Sequence, residues 1–233
     1  MSASPETEVE SLIASASEVY IDGSVLEAST RVSSYIYFKR ILDVCCAAVG
    51  LVALSALLLV IAVLIKLEDW KGPVIFYQTR VGKDGKHFRM YKFRSMVTNA
   101  EAQLEQLLEH NEIQGAMFKM KEDPRVTRVG RFIRRTSLDE LPQLFNVLKG
   151  DMSLVGPRPA LPREVEEYSP YDKQRLLVTP GCTGLWQVSG RNHLTFHEMV
   201  RLDLDYICNR SILLDIKIIL KTFRVLLGSK DAY

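Results

Sequence analysis

Residues 134–143 read RRTSLDELPQ, and two of them, Asp139 and Glu140, are adjacent carboxylates placed behind Arg134 and Arg135. Paired carboxylates among guanidinium groups are the side chains that phosphoryl transfer uses. The same stretch has a second reading: Ser137 followed three residues later by Glu140, ahead of an apolar run, is a capping box that starts a helix. Farther on, Arg158 lies between Pro157 and Pro159. A guanidinium presented from so stiff a loop suits bidentate phosphate recognition, or marks a structural turn. Gly181, Gly184 and Gly190 permit close backbone approach to a ligand or another chain. There is no GxxxxGK[ST] phosphate loop and no GxGxxG motif. The histidines at 87, 110, 193 and 197 form no metal set, because the i, i+4 pair His193 and His197 lacks further ligands.

The elements that must position these groups begin after an acidic tail. Residues 1–30 carry six acidic residues and no Lys or Arg, and they read as a mobile tail without the basic start of a signal peptide. Val44–Ile65 is a run of 22 residues without a charge, VCCAAVGLVALSALLLVIAVLI, which as a helix spans about 33 Å, near the bilayer core thickness. A buried core helix is the alternative. Lys39 and Arg40 precede the run, and Lys66 and Lys71 follow it. Basic residues keep to the cytoplasmic side, so a re-entrant hairpin satisfies both flanks where a straight span does not. A hairpin needs a break near its middle, and Gly50 and Ser55 are the candidates. At the other end, Ser211–Leu227 repeats apolar residues at Ile212, Ile216, Ile219, Phe223 and Leu226, with Lys217, Lys221 and Arg224 on another face. That pattern fits an interfacial amphipathic helix or a helix packed on a soluble core.

Between these segments the chain is basic: residues 71–150 hold fifteen Lys and Arg against nine Asp and Glu, which implies an anionic partner. Val74–Gln78 and Phe88–Phe93 flank the turn-rich GKDGK and predict a β-hairpin. Thr98 and Glu101 predict a capped helix bearing Leu104, Leu107 and Leu108. The segment PRVTRVGRFIRR places Val126, Val129 and Ile133 on one face and Arg128, Arg131 and Arg135 on another, a solvated or membrane-facing surface. Residues 150–191 read as loop-rich. Cys45, Cys46, Cys182 and Cys208 show no zinc spacing and suggest a reduced, cytosolic setting. The expected fold class is mainly α with a small β-hairpin (α+β), a re-entrant membrane helix-break-helix and interfacial amphipathic helices. Its divisions are the tail 1–34, the membrane segment 35–68 and a membrane-surface catalytic domain 69–233.

Taken together, KRILD ahead of the apolar run, RVG (80–82), YKFRSM (91–96), residues 123–159, PGCTGLWQVSGR (180–191) and LDLDY (202–206) resemble the bacterial polyprenyl-phosphate sugar-1-phosphate transferases, the monotopic phosphoglycosyl transferases. The likeness covers about residues 35–233. It implies transfer of a sugar 1-phosphate from a UDP-sugar to undecaprenyl phosphate at the cytoplasmic membrane, with release of UMP and with Mg2+ as cofactor. Asp139 would be the nucleophile that carries the phosphosugar, and Glu140 would bind Mg2+. Lys92, Arg134, Arg158, Gln187 and Arg191 match motif positions expected to contact the substrates. Asp203 would support either the metal or the active-site architecture.

Two departures qualify the resemblance. Ser55-Ala56 stands where the family usually has Ser-Pro at the kink. Larger relatives also carry further domains before this region, so the chain is a minimal form or a piece of a longer one. Glucose or galactose is the expected sugar, and a homodimer the expected assembly. A silent membrane scaffold has no use for the dyad. Nucleic-acid binding has no support from interleaved aromatics or a recognisable motif.

Overall fold

The computed structural model describes residues 34–100, 123–190 and 194–228, with isolated positions 25, 102, 103, 107 and 120. The apolar run forms two helices, α1 (Ser34–Ala53) and α2 (Ser55–Glu68), bent by 62° where they meet. The break falls at Leu54, directly before Ser55 (φ −93°, ψ 3°). Gly50, the other candidate, lies inside α1 against Leu144. Without a proline the backbone loses little at the bend, for Leu54 still donates to the Gly50 carbonyl and accepts from Leu58, each at 2.9 Å. Among the described residues no single helix is long and apolar enough to cross a membrane, whereas the bent pair meets that requirement together.

Both ends of the bent pair are fastened to one body. On α1, Arg40 donates to the carbonyls of Val147 (2.6 Å) and Leu148 (2.8 Å), and the buried Asp43 accepts from the Leu154 amide at 3.0 Å. Ala47 packs with Met90, Val147 and Met152. At the far end, Ile61 and Ile65 of α2 pack with Phe93 and Ile133, and Arg94 donates to the Asp69 carboxylate at 2.5 Å. Between these anchorages Val49, Val52, Leu59, Val60 and Val63 are exposed.

The hairpin expected from sequence forms, longer at its first strand than predicted. β1 (Ile75–Val81) and β2 (His87–Phe93) pair antiparallel, with Ile75 opposite Phe93 and Val81 opposite His87. The turn places Asp84 (φ 56°) and Gly85 (φ 75°) in the left-handed region, which Asp tolerates and Gly enters freely. The helix predicted to follow Thr98 falls mainly outside the described residues, as do Glu101, Leu104 and Leu108. Next come α3 (Arg128–Arg135), α4 (Gln143–Lys149), β3 (Ser153–Val155), α5 (Pro162–Glu166), α6 (Pro170–Lys173), β4 (Gly181–Thr183), α7 (Phe196–Asn209) and α8 (Ile212–Gly228). The parallel pair β3–β4 corrects the loop reading of this region. Three-residue strands containing Gly and Ser show no alternation, so only proximity reveals them. A Cβ on Gly181 would lie 2.1 Å from the Gly156 nitrogen, and no side chain fits between them.

Helix α8 packs one side on the core and exposes the other. Ile218 is buried in a cluster with Val155, Val200, Leu204 and Ile207. Asp215, also buried, accepts from Lys39 (2.8 Å), Tyr35 (3.0 Å) and Tyr206 (2.7 Å), tying the start of α1 to α7 and α8. Its outer side exposes Leu213, Ile216, Leu220 and Phe223 beside the exposed Lys217, Lys221 and Arg224.

Candidate active site

Helix α3 is the platform that carries the dyad. Thr127 caps it by accepting from the Gly130 amide at 2.9 Å, and Glu68 of α2 accepts from the Arg128 amide at 2.8 Å. Gly130 presses on the backbone at Ser95, where a Cβ would come within 2.0 Å of the Ser95 carbonyl oxygen. Ile133 is buried against Ile61, Ile65 and Phe93, and Leu138 packs on the same cluster. Arg128, Arg131, Arg134 and Arg135 face outward, as a basic surface helix should.

The capping box predicted at Ser137 does not form. Ser137 adopts a left-handed conformation (φ 55°, ψ 18°) and makes no side-chain cap, and Leu138–Glu140 is a 3-10 turn. Glu140 turns instead to β2, where its Oε1 accepts from Lys92 Nζ at 2.6 Å, a partner 48 residues away. Helix α4 begins only after Pro142. A non-glycine residue held in the left-handed region is an uncommon local cost, and here it turns the chain so that two consecutive carboxylates face different surroundings.

Those surroundings separate the two acids. Asp139 is 8% exposed. Burial pushes its carboxyl up to about 6, helped by the Glu140 charge and opposed by Lys92 and Arg134. Burial also opposes ionisation of Glu140, but Lys92, Arg158 and Arg80 outweigh it and hold that carboxyl well below the usual range. Glu140 is therefore a permanent anion, and Asp139 is a carboxylate that is ionised at neutral pH yet poorly solvated.

Arg158 and Gln187 join Glu140 around one narrow cavity, lined also by Arg80, Gln143 and Cys182. The loop bearing Arg158 is held on both sides: the Pro157 carbonyl accepts from Gly181 (2.8 Å), the Ala160 carbonyl from Val81 (2.9 Å), and the Pro159 carbonyl from the Arg80 guanidinium (3.0 Å). Arg80 itself is buried and also donates to Gln78 at 2.7 Å. The RVG motif by itself assigns Arg80 no role. An Arg in a strand beside a turn carries no local signal, because its partner is 79 residues away.

The remaining expected residues lie elsewhere. Arg134 is exposed and acts on Asp139 through its charge. Asp203 is buried on α7 with its carboxylate bound to Arg175, which also donates to the Tyr168 hydroxyl at 3.0 Å. Pairing with Arg175 is what the architectural of its two expected roles would require. Arg191 and His193 lie outside the described residues.

Among the described residues no group of three or more His, Cys, Asp or Glu side chains is gathered for a metal. A structural metal cage needs such a group. Mg2+ instead takes one or two carboxylates and fills its shell with phosphate oxygens and water. Glu140, ionised and 32% exposed at its side chain, fits that mode.

The chain resembles several proteins along most of its described length. It is 51% identical over 195 residues to the galactosyl transferase CpsE of Streptococcus agalactiae serotype III, covering 83% of this chain and 43% of that protein. The undecaprenyl-phosphate galactose phosphotransferase of Salmonella typhimurium is 48% identical over 201 residues, 84% of this chain and 42% of the relative. Against these two the chain spans less than half the relative's length. The exopolysaccharide production protein ExoY of Sinorhizobium fredii is 42% identical over 200 residues and is covered over 88% of its length. The sequence model of one family matches residues 34–229, the bent helix pair, the dyad and α8 included, and the chain belongs to that family, the bacterial sugar transferases.

Proposed function

We propose that this protein transfers a sugar 1-phosphate from a UDP-sugar to undecaprenyl phosphate, releasing UMP, through a covalent intermediate on Asp139. The observation that carries the reading is the divided dyad: a buried Asp139 beside a Glu140 that Lys92 clamps and that itself lines a cavity with Arg158 and Arg80. Asp139 Oδ attacks the β-phosphorus, and the bond from that phosphorus to the oxygen bridging the α-phosphate breaks. Its electron pair leaves with UMP. A phosphate oxygen of the polyprenyl acceptor then attacks the same phosphorus, and the bond to Asp139 breaks, restoring the carboxylate. Poor solvation of Asp139 keeps it reactive, and its pKa leaves it ionised at neutral pH. Mg2+ bound at Glu140 would neutralise charge on the phosphoryl oxygens. Lys92 holds Glu140 in place for it, while Arg158, on its stitched loop, offers a fixed fork to a second phosphate. Splitting one displacement between two anionic partners into two steps gives ping-pong kinetics.

The acceptor's lipid tail places the reaction at a membrane. Support for re-entry comes from the two anchorages, since both ends of the bent pair bind the same body. A helix that crossed the bilayer would carry one end away from it. Exposed apolar residues between the anchorages, and those on the outer side of α8, would then face lipid. The relatives' names suggest UDP-galactose as the first donor to test and UDP-glucose as the second. The test is UMP release from these donors with undecaprenyl phosphate and Mg2+. Wild-type enzyme should form a labelled protein adduct from sugar-labelled donor when acceptor is withheld, and Asp139→Asn should form neither adduct nor product. Turnover by Asp139→Asn would refute the covalent mechanism.

A further inference from the structure

Beside α4 lies an open apolar groove of about 550 Å³, lined by Ile75, Tyr91, Pro142, Phe145, Leu148 and Lys149. We propose that this groove receives the first isoprene units of the polyprenyl acceptor, an assignment that rests on the transfer reaction proposed above. Its position is the first reason. The groove opens at Pro142, two residues after Glu140, and follows α4 to Lys149. Seven residues at 1.5 Å rise make this about 10 Å of helix. The Tyr91 side of the groove lies on the face of β2 opposite Met90 and Lys92, so an acceptor whose phosphate lies at the dyad would pass the Glu140–Pro142 turn to enter it.

The lining chemistry is the second reason. Ile75 and Phe145 are 39% and 51% exposed, large apolar side chains with no partner from the fold covering them fully. Polar atoms are confined to the Tyr91 hydroxyl and the Lys149 ammonium. The ammonium already pairs with Asp151 at 2.9 Å and sits 5.5 Å from the Tyr91 ring centroid. A uracil ring would bring two carbonyls and an N–H, more polar atoms than the two this lining offers, whereas an isoprenoid brings none. The third reason is the surrounding architecture. Helix α4 packs on α1 through Ala47 and Val147, and β1, which contributes Ile75, begins seven residues after α2 ends. The groove therefore adjoins the root of the bent pair, where a lipid substrate would approach.

The test uses the full chain in phospholipid nanodiscs with a polyprenyl phosphate carrying a photoreactive group in its first isoprene units. Label is expected on residues 142–149 and at Ile75. It should be competed by unlabelled polyprenyl phosphate and untouched by phosphatidic acid. In turnover, Ile75→Ala with Phe145→Ala should raise KM for the acceptor by about tenfold, equivalent to about 1.4 kcal/mol, and move KM for the donor less than about twofold. Both side chains are substantially exposed, so their truncation opens no core. Label elsewhere, or label competed equally by phosphatidic acid, overturns the assignment. So does a rise in donor KM with acceptor KM unchanged, which would mark a nucleobase site. The photolabelling needs no turnover, so an enzyme that bound the acceptor in the groove and released no UMP would refute the reaction and leave the groove standing.

Discussion

Asp203 offers the sharpest separation between a metal ligand and a structural residue. Its carboxylate is 1% exposed and bound to Arg175, itself 7% exposed. Asp203→Leu would leave Arg175 buried with the Tyr168 hydroxyl and ring beside its charge but no carboxylate to balance it. Breaking a buried pair on one side costs about 3–5 kcal/mol. For a chain of this length each kcal/mol lowers Tm by about 2–4 °C, so the midpoint should fall by roughly 6–20 °C. Burial raises the Asp203 carboxyl to about 6 even beside Arg175, while the Asp203 charge raises Arg175, so desolvation and attraction oppose each other across the pair. Replacing both members should therefore restore most of the loss, and Asp203→Leu with Arg175→Met should melt within a few degrees of wild type. The assay is thermal unfolding of the three variants in one detergent, paired with a Mg2+ titration of UMP release. The structural role requires a wild-type Mg2+ midpoint in the double variant. A weakened Mg2+ midpoint without loss of Tm in Asp203→Leu would refute this reasoning and make Asp203 a metal ligand.

Other outcomes follow from the same geometry. The attack proposed for Asp139 requires its carboxylate form, so kcat/KM should rise with pH through about 6. Because Lys92 favours ionisation, Lys92→Met should move that limb upward, with a larger loss at pH 6.5 than at pH 8.5. A pH profile of each enzyme checks both statements. Asn146 is wholly buried, accepting from the Tyr91 amide (3.0 Å) and donating to the Arg89 carbonyl (2.7 Å). Asn146→Ala strands both backbone groups and should cost roughly 2–4 kcal/mol in unfolding measurements. Gly181→Ala must part β3 from β4 at Gly156 and should cost about 1–3 kcal/mol. Because the Arg158 loop hangs on that contact, it should also raise KM for the UDP-sugar.

Much of the molecule is legible from residue types and local spacing. The uncharged run, the GKDGK turn, the amphipathic C-terminal helix and the SLDE carboxylates each announce themselves within a few residues, since helical and strand periodicity, turn chemistry and charge are local properties. Even the break in the apolar run is readable to within one residue of Ser55. Tertiary structure decided what those groups do. Ser137 and Glu140 satisfy the capping-box pattern, yet Lys92 takes the glutamate, because a charged partner delivered by β2 outcompetes a local backbone amide for the same oxygen. Arg80 steadies the Arg158 loop and Arg175 engages Asp203 by the same kind of distant encounter. The parallel β3–β4 pair exists because two glycines let backbones 25 residues apart touch. Sequence spacing determines which chemistry is present. The choice of partner for each buried charge depends on which distant segments the core brings within reach, and that depends on packing.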